Sequence, residues 1–107
     1  MSETTESRRL QMLDKRIADG ADDPFIFYAR ALELRSLGEL TRTLEALTDV
    51  AERYPDYVPT YLMAGQVAAE LDRIEVARDF LQRGVELSER VGDHHANSEI
   101  LAALGAL

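Results

Sequence analysis

The chain of 107 residues has no cysteine, no tryptophan, three prolines and a single lysine, Lys15. Without cysteine there is no disulfide framework, thiolate zinc site or cysteine nucleophile, which suits a reducing compartment. Residues 1–15 are polar and carry Glu3, Glu6, Arg8 and Arg9, so an apolar signal-peptide core is missing. The longest weakly charged stretch, 58–69, is too short to cross a bilayer and is interrupted by Gln66. A cytoplasmic protein without membrane contact is the expectation. Positive charge is also scarce: 12 basic against 20 acidic residues give a net charge of -8. Beyond the pair Arg8-Arg9 no basic cluster interrupts that field, so a nucleic acid is a poor partner. Eleven of the twelve bases are arginine, a skew that fits GC-rich coding or salt adaptation in a bacterial host.

What the chain does have is 46% hydrophobic and 30% charged residues, interspersed along its length, as in folded proteins. Apolar residues recur at helical spacing and no segment alternates with a period of two. Six helices are predicted. The first covers 5–19, with Leu10, Leu13 and Ile17 on one stripe, and stops at Gly20. The second follows Asp22 and Asp23, takes Pro24 in its first turn and ends at Gly38. The third covers 40–53 and is terminated by Pro55; Pro59 opens a fourth that runs to Leu71. Asp72 is expected to cap a fifth helix over 73–90, with Glu75 completing a partial capping box, and Gly92 ends it. The sixth opens at Asp93 or Ala96 and carries Ile100, Leu101, Leu104 and Leu107. Its apolar ending fits either a cap or a truncation. Short connections throughout make sequential helices antiparallel neighbours.

Residues 24–57 superpose on 58–91 with a shift of 34 and no gap. Only three positions are identical, but sizes correspond: Phe27 with Tyr61, Ala31 with Gly65, Leu37 with Leu71, Leu40 with Ile74 and Leu47 with Leu81. A 34-residue helical hairpin with an aromatic at its fourth position and a small residue at its eighth resembles the tetratricopeptide repeat. Gly38 at the first turn, Ala77 in the second helix and Pro55 at the close of the first repeat agree with that family. Arg30 and Ala64 depart from its large apolar seventh position, Thr43 replaces a small alanine, and Glu89 stands where the first repeat has Pro55. The implied fold is all-α, with antiparallel hairpins stacked as a short right-handed solenoid. The chain divides into an N-terminal helix (1–22), repeat 1 (24–57), repeat 2 (58–91) and a C-terminal capping helix (92–107) in altered register, which the 34-residue phase would otherwise give Glu99 at a small position.

In this family the first helix of each repeat lines a concave groove. Carried over by position, the resemblance implies Phe25, Tyr28, Leu32, Arg35 and Ser36 from repeat 1, and Pro59, Leu62, Gln66, Ala69 and Glu70 from repeat 2. Helical geometry agrees for residues 25, 28, 32 and 35, which share a face distinct from that of Phe27, Ala31 and Leu34. The expected groove is Phe25, Tyr28, Leu32, Arg35, Leu62, Gln66 and Ala69, receiving a peptide or helix from a neutral or basic protein. The carboxylate clamp of chaperone-binding members needs Lys and Asn where this chain has Tyr28 and Leu32, which disfavours a free C-terminus as ligand. The alternative occupants are the chain's own first or last helix, or a second copy bound through the groove or the C-terminal helix. No glycine-rich phosphate loop or catalytic elbow is present, so a non-catalytic module without cofactor or metal is expected. A metal-dependent activity at His94 and His95 is a remote alternative, because adjacent helical residues point in different directions.

Overall fold

A computed structural model describes residues 7–107, which form six helices and no strand: α1 (Arg8–Ala18), α2 (Pro24–Ser36), α3 (Leu40–Arg53), α4 (Pro59–Glu70), α5 (Ile74–Val91) and α6 (His94–Gly105). Residues 5 and 6 of the expected first helix lie outside the described residues. Ser7 begins α1 by accepting the Leu10 N–H at 2.9 Å, and Asp23 begins α2 by accepting the Phe25 N–H at 2.9 Å ahead of Pro24. Asp93, not Ala96, starts α6, its carboxylate accepting the Ala96 N–H at 3.1 Å.

Two expected boundaries are corrected by one kind of turn. Helix α2 ends at Ser36, and Gly38 lies beyond it at φ +79°. Its amide donates to Arg35 O and that of Glu39 to Leu34 O, the paired bonds of a Schellman ending. Thirty-four residues later Asp72 repeats this arrangement at φ +61°, with its amide on Ala69 O and the Arg73 amide on Ala68 O. Asp72 therefore closes α4 and does not cap α5, which starts at Ile74 behind Arg73 with no side-chain cap. Glu75 forms no capping box and lies 3.8 Å from Arg78. The tight turn needs a left-handed residue, and that demand overrides the capping preference of aspartate. Asp72→Gly should remove about 1–2 kcal/mol of left-handed strain while adding somewhat less than 1 kcal/mol of unfolded-state entropy. The expected outcome is a gain of about 0.5–1 kcal/mol, read as a higher urea midpoint with unchanged slope.

Packing follows the alternation of large and small residues. α2 pairs with α3, α4 with α5, and α6 lies against α5 and α4. The core runs through the stack as a strip containing Leu10, Leu34, Leu47, Val67 and Leu87, and a smaller cluster of Leu13, Ile26 and Ala29 joins α1 to α2. The molecule is accordingly elongated, 43 × 29 × 19 Å, with a radius of gyration of 14.2 Å against the roughly 13 Å of a compact chain of this length. Gly65 sets the approach of α4 to α5: a Cβ there would lie 2.5 Å from Leu81 Cγ. Gly84 plays the same part for Tyr61 and Ile100, whose nearest atoms would lie 2.8 and 3.0 Å from an added Cβ. Ile100, the buried residue of α6, thus seats it on the apolar side, and Asn97 adds a polar tie to α5 by donating to Ser88 Oγ at 3.0 Å. Two of the residues that depart from the repeat pattern, Thr43 and Arg30, are accommodated locally. Thr43 is buried and donates its hydroxyl to Glu39 O at 2.7 Å, while Arg30 pairs with Asp14 of α1.

Candidate functional site

Each face of α2 has a different neighbour. Ile26 and Ala29 meet α1, Ala31 and Leu34 enter the core shared with α3, Phe27 packs on Arg53 and Tyr54 at the end of α3, and Phe25, Tyr28, Leu32 and Arg35 occupy the remaining face. Helix α1 is held away from that last face by polar ties to the opposite side: Ser7 Oγ donates to Glu33 Oε2 at 2.7 Å and Arg9 approaches Glu33 at 3.6 Å. Phe25 is 56% exposed although it is a large apolar residue. Tyr28, Leu32 and Leu62 are half-buried, Ala69 is partly buried and Gln66 is exposed.

Arg35 is engaged within the chain. Its guanidinium donates to Glu70 Oε2 at 2.9 Å and to the Met63 sulfur at 2.8 Å, so it ties α2 to α4 across the groove. The pair is largely solvated and contributes on the order of 1 kcal/mol or less. Gln66, Ala69, Glu70 and Arg35 border a cleft of about 420 Å³ whose floor is Gly65 and Leu81 and whose far wall is Ala103 of α6 with Ala106 and Leu107 just beyond it. The C-terminal end of the chain therefore faces this part of the groove, whereas none of the described residues forms such a wall at the Phe25 end.

The sequence reading missed Tyr57, in the connection between α3 and α4. Its ring meets that of Tyr28 edge-on, with centroids 5.5 Å apart. Under the 34-residue shift Tyr57 corresponds to Val91, so only the retained bulk of that position hinted at a packed residue. Burial, together with Tyr57 nearby, raises the Tyr28 phenol above its ordinary value of 10.0, and burial plus Asp23 raises that of Tyr57. Both rings stay neutral at physiological pH. Tyr54 lies close by and donates its hydroxyl to Asp22, the hydrogen bond that most raises its own pKa.

His94 and His95 are exposed at the start of α6, and His95 Nε2 lies 3.6 Å from Glu99. Among the described residues no group of three His, Cys, Asp or Glu side chains is placed to hold a metal ion, and no helix is long and apolar enough to cross a membrane.

No family model and no curated protein matches the chain. Solved structures do. A crystal structure of a tetratricopeptide repeat domain protein from Salinibacter ruber superposes with a TM-score of 0.73 at 34% identity, covering 78% of this chain and 92% of that one. A solution NMR structure of a tetratricopeptide repeat domain protein from the same organism gives 0.74 at 34% identity, covering 78% and 84%. With the 34-residue period, the matched turns at Gly38 and Asp72 and the small residues under the helix crossings, these likenesses show that the chain belongs to the tetratricopeptide repeat family.

Proposed function

We propose that this chain is a non-catalytic adaptor that receives a peptide or helix on the concave face of α2 and α4. Tetratricopeptide repeat folds are in general protein-interaction modules. The reading of this one rests above all on Phe25, which stays 56% exposed at the open end of a strip continued by Tyr28, Leu32 and Leu62. An apolar ring held in water at the edge of a half-buried strip is the pattern of a binding surface. We take 24–57 and 58–91 as the two repeats and 1–22 and 92–107 as flanking helices of one domain. The surplus of acids favours a neutral or basic partner.

Peptides selected on the chain from a random display library provide the test. Tyr28→Glu and Leu62→Glu should each weaken their binding by about 30-fold or more, the loss of a central anchor, while the helical circular dichroism is retained. Unchanged affinity in both variants would remove the groove from the proposal.

A second reading, self-association, is favoured by Leu101 of α6 and Leu107 at the end of the chain, which are 47% and 36% exposed. Sedimentation across a concentration series separates the two. A monomer that binds peptide supports the adaptor, and a dimer lost on Leu101→Glu supports self-association.

A further inference from the structure

We infer that the open end of the groove is a cradle for an arginine side chain of the partner, formed by Phe25, Tyr28 and Tyr57 beside the carboxylate of Asp23. This deepens the groove reading and rests on it.

The shape comes first. Tyr28 and Tyr57 meet at an interplanar angle of 65°, so the two rings form a corner, and Phe25 stands one helical turn before Tyr28 on the same face. Such a corner offers ring face and ring edge to a flat group. All three rings are at least partly exposed.

Charge then selects the occupant. Asp22 and Asp23 immediately precede α2, and Asp23 lies near enough to Tyr57 to raise its pKa. Asp23 spends one oxygen on the Phe25 amide and Asp22 accepts the Tyr54 hydroxyl, yet among the described residues neither pairs with an arginine or lysine. The nearest groove cation, Arg35, lies seven residues beyond Tyr28, within electrostatic reach of its phenol, and its charge is paired with Glu70. The open end is therefore negative and aromatic together. Electron-rich rings attract a cation over their faces, and carboxylates pair with the edge of a guanidinium.

The choice of arginine over lysine follows from flatness. A guanidinium stacks on a ring while its N–H groups remain directed at an acid, whereas an ammonium is compact and more strongly hydrated. The fold already uses this contact internally. Arg53 lies 4.9 Å from the centroid of Phe27, and Arg83 lies 5.3 Å from Tyr61 and 5.4 Å from Phe80. At the groove mouth the same arrangement is offered to a partner.

The test uses the arginine side chain in isolation. n-Propylguanidinium and its neutral, equally flat counterpart n-propylurea are titrated into the whole chain at low salt, with the aromatic ring resonances observed by NMR. The cation is expected to shift Phe25, Tyr28 and Tyr57 and to bind about fivefold tighter than the urea. Asp23→Asn keeps the helix cap, since asparagine caps as well as aspartate, and should remove most of that preference. Glu86→Gln, an equal change of charge on the outer helix α5, should leave it intact. Equal binding of the two probes, or equal loss in Asp23→Asn and Glu86→Gln, overturns the cradle. In that event peptide binding that still depends on Tyr28 and Leu62 leaves the groove standing. If those two substitutions do not matter to peptide binding either, the groove falls as well.

Discussion

Leu81→Ala is expected to cost about 3–5 kcal/mol, a large fraction of the roughly 5–15 kcal/mol that stabilises a domain. Leu81 is 1% exposed and fills the space that Gly65 leaves open between α4 and α5. A substitution elsewhere in the core can be softened when neighbours move in. Here the facing residue has no side chain to move, so the cavity persists and the packing atoms of α4 lose their partner outright. Leu81 also floors the cleft beneath α6, so the defect opens toward solvent and toward the terminal helix together. Urea unfolding should show the loss as a midpoint shift, and the matched substitution Leu47→Ala gives the comparison. Leu47 is as deeply buried, in the same core as Ala31, which the 34-residue shift sets in the place of Gly65 and which retains a methyl group, so its cost should lie toward the lower end of about 2–5 kcal/mol. Equal costs at the two sites would show that the glycine does not control the relaxation.

The second large effect concerns α6. Ile100 is fully buried against Gly84, and it is the buried apolar side chain through which the terminal helix is seated. Ile100→Asp removes that contact and places a carboxylate among apolar groups, for an expected cost of about 3–5 kcal/mol at the α6 interface. In a stack whose units touch only their neighbours, such a loss stays local. Amide exchange should accordingly lose protection throughout α6 while α2 and α3 keep theirs. Uniform loss of protection would show instead that the whole chain unfolds as one unit. A groove that binds through Phe25 and Tyr28 should survive detachment of α6, because the terminal helix faces only the Gln66 and Ala69 end.

Much of this architecture was legible in the chain. The prolines at 24, 55 and 59 and the glycines at 20, 38 and 92 punctuate the helices by rules that act within a few residues, and α3 and α4 begin where these rules place them. Size matching at a period of 34 identified the hairpins, since Ala31 and Gly65 allow an approach that larger side chains forbid. The misread element shows where local rules stop. Asp72 is a good cap by composition, but the turn geometry shared with Gly38 gives it a left-handed backbone, and only the second copy of the turn reveals that.

The groove was legible as a set of positions, not as a surface. Periodicity put Phe25, Tyr28, Leu32 and Arg35 on one side of a helix, which is a property of 3.6 residues per turn. It did not say that Arg35 would be held by Glu70, that Tyr57 would turn against Tyr28, or that α6 would face one end of the strip and leave the other open. Those outcomes depend on side chains far apart in the chain meeting at distances of a few ångström, and no spacing encodes them. By itself the sequence determined the helices, their repeat and the sign of the charge, because these follow from local stereochemistry and from composition. Which apolar residues remained in water was decided by the tertiary structure alone, through the order in which the helices stacked and the faces left when that stacking was complete.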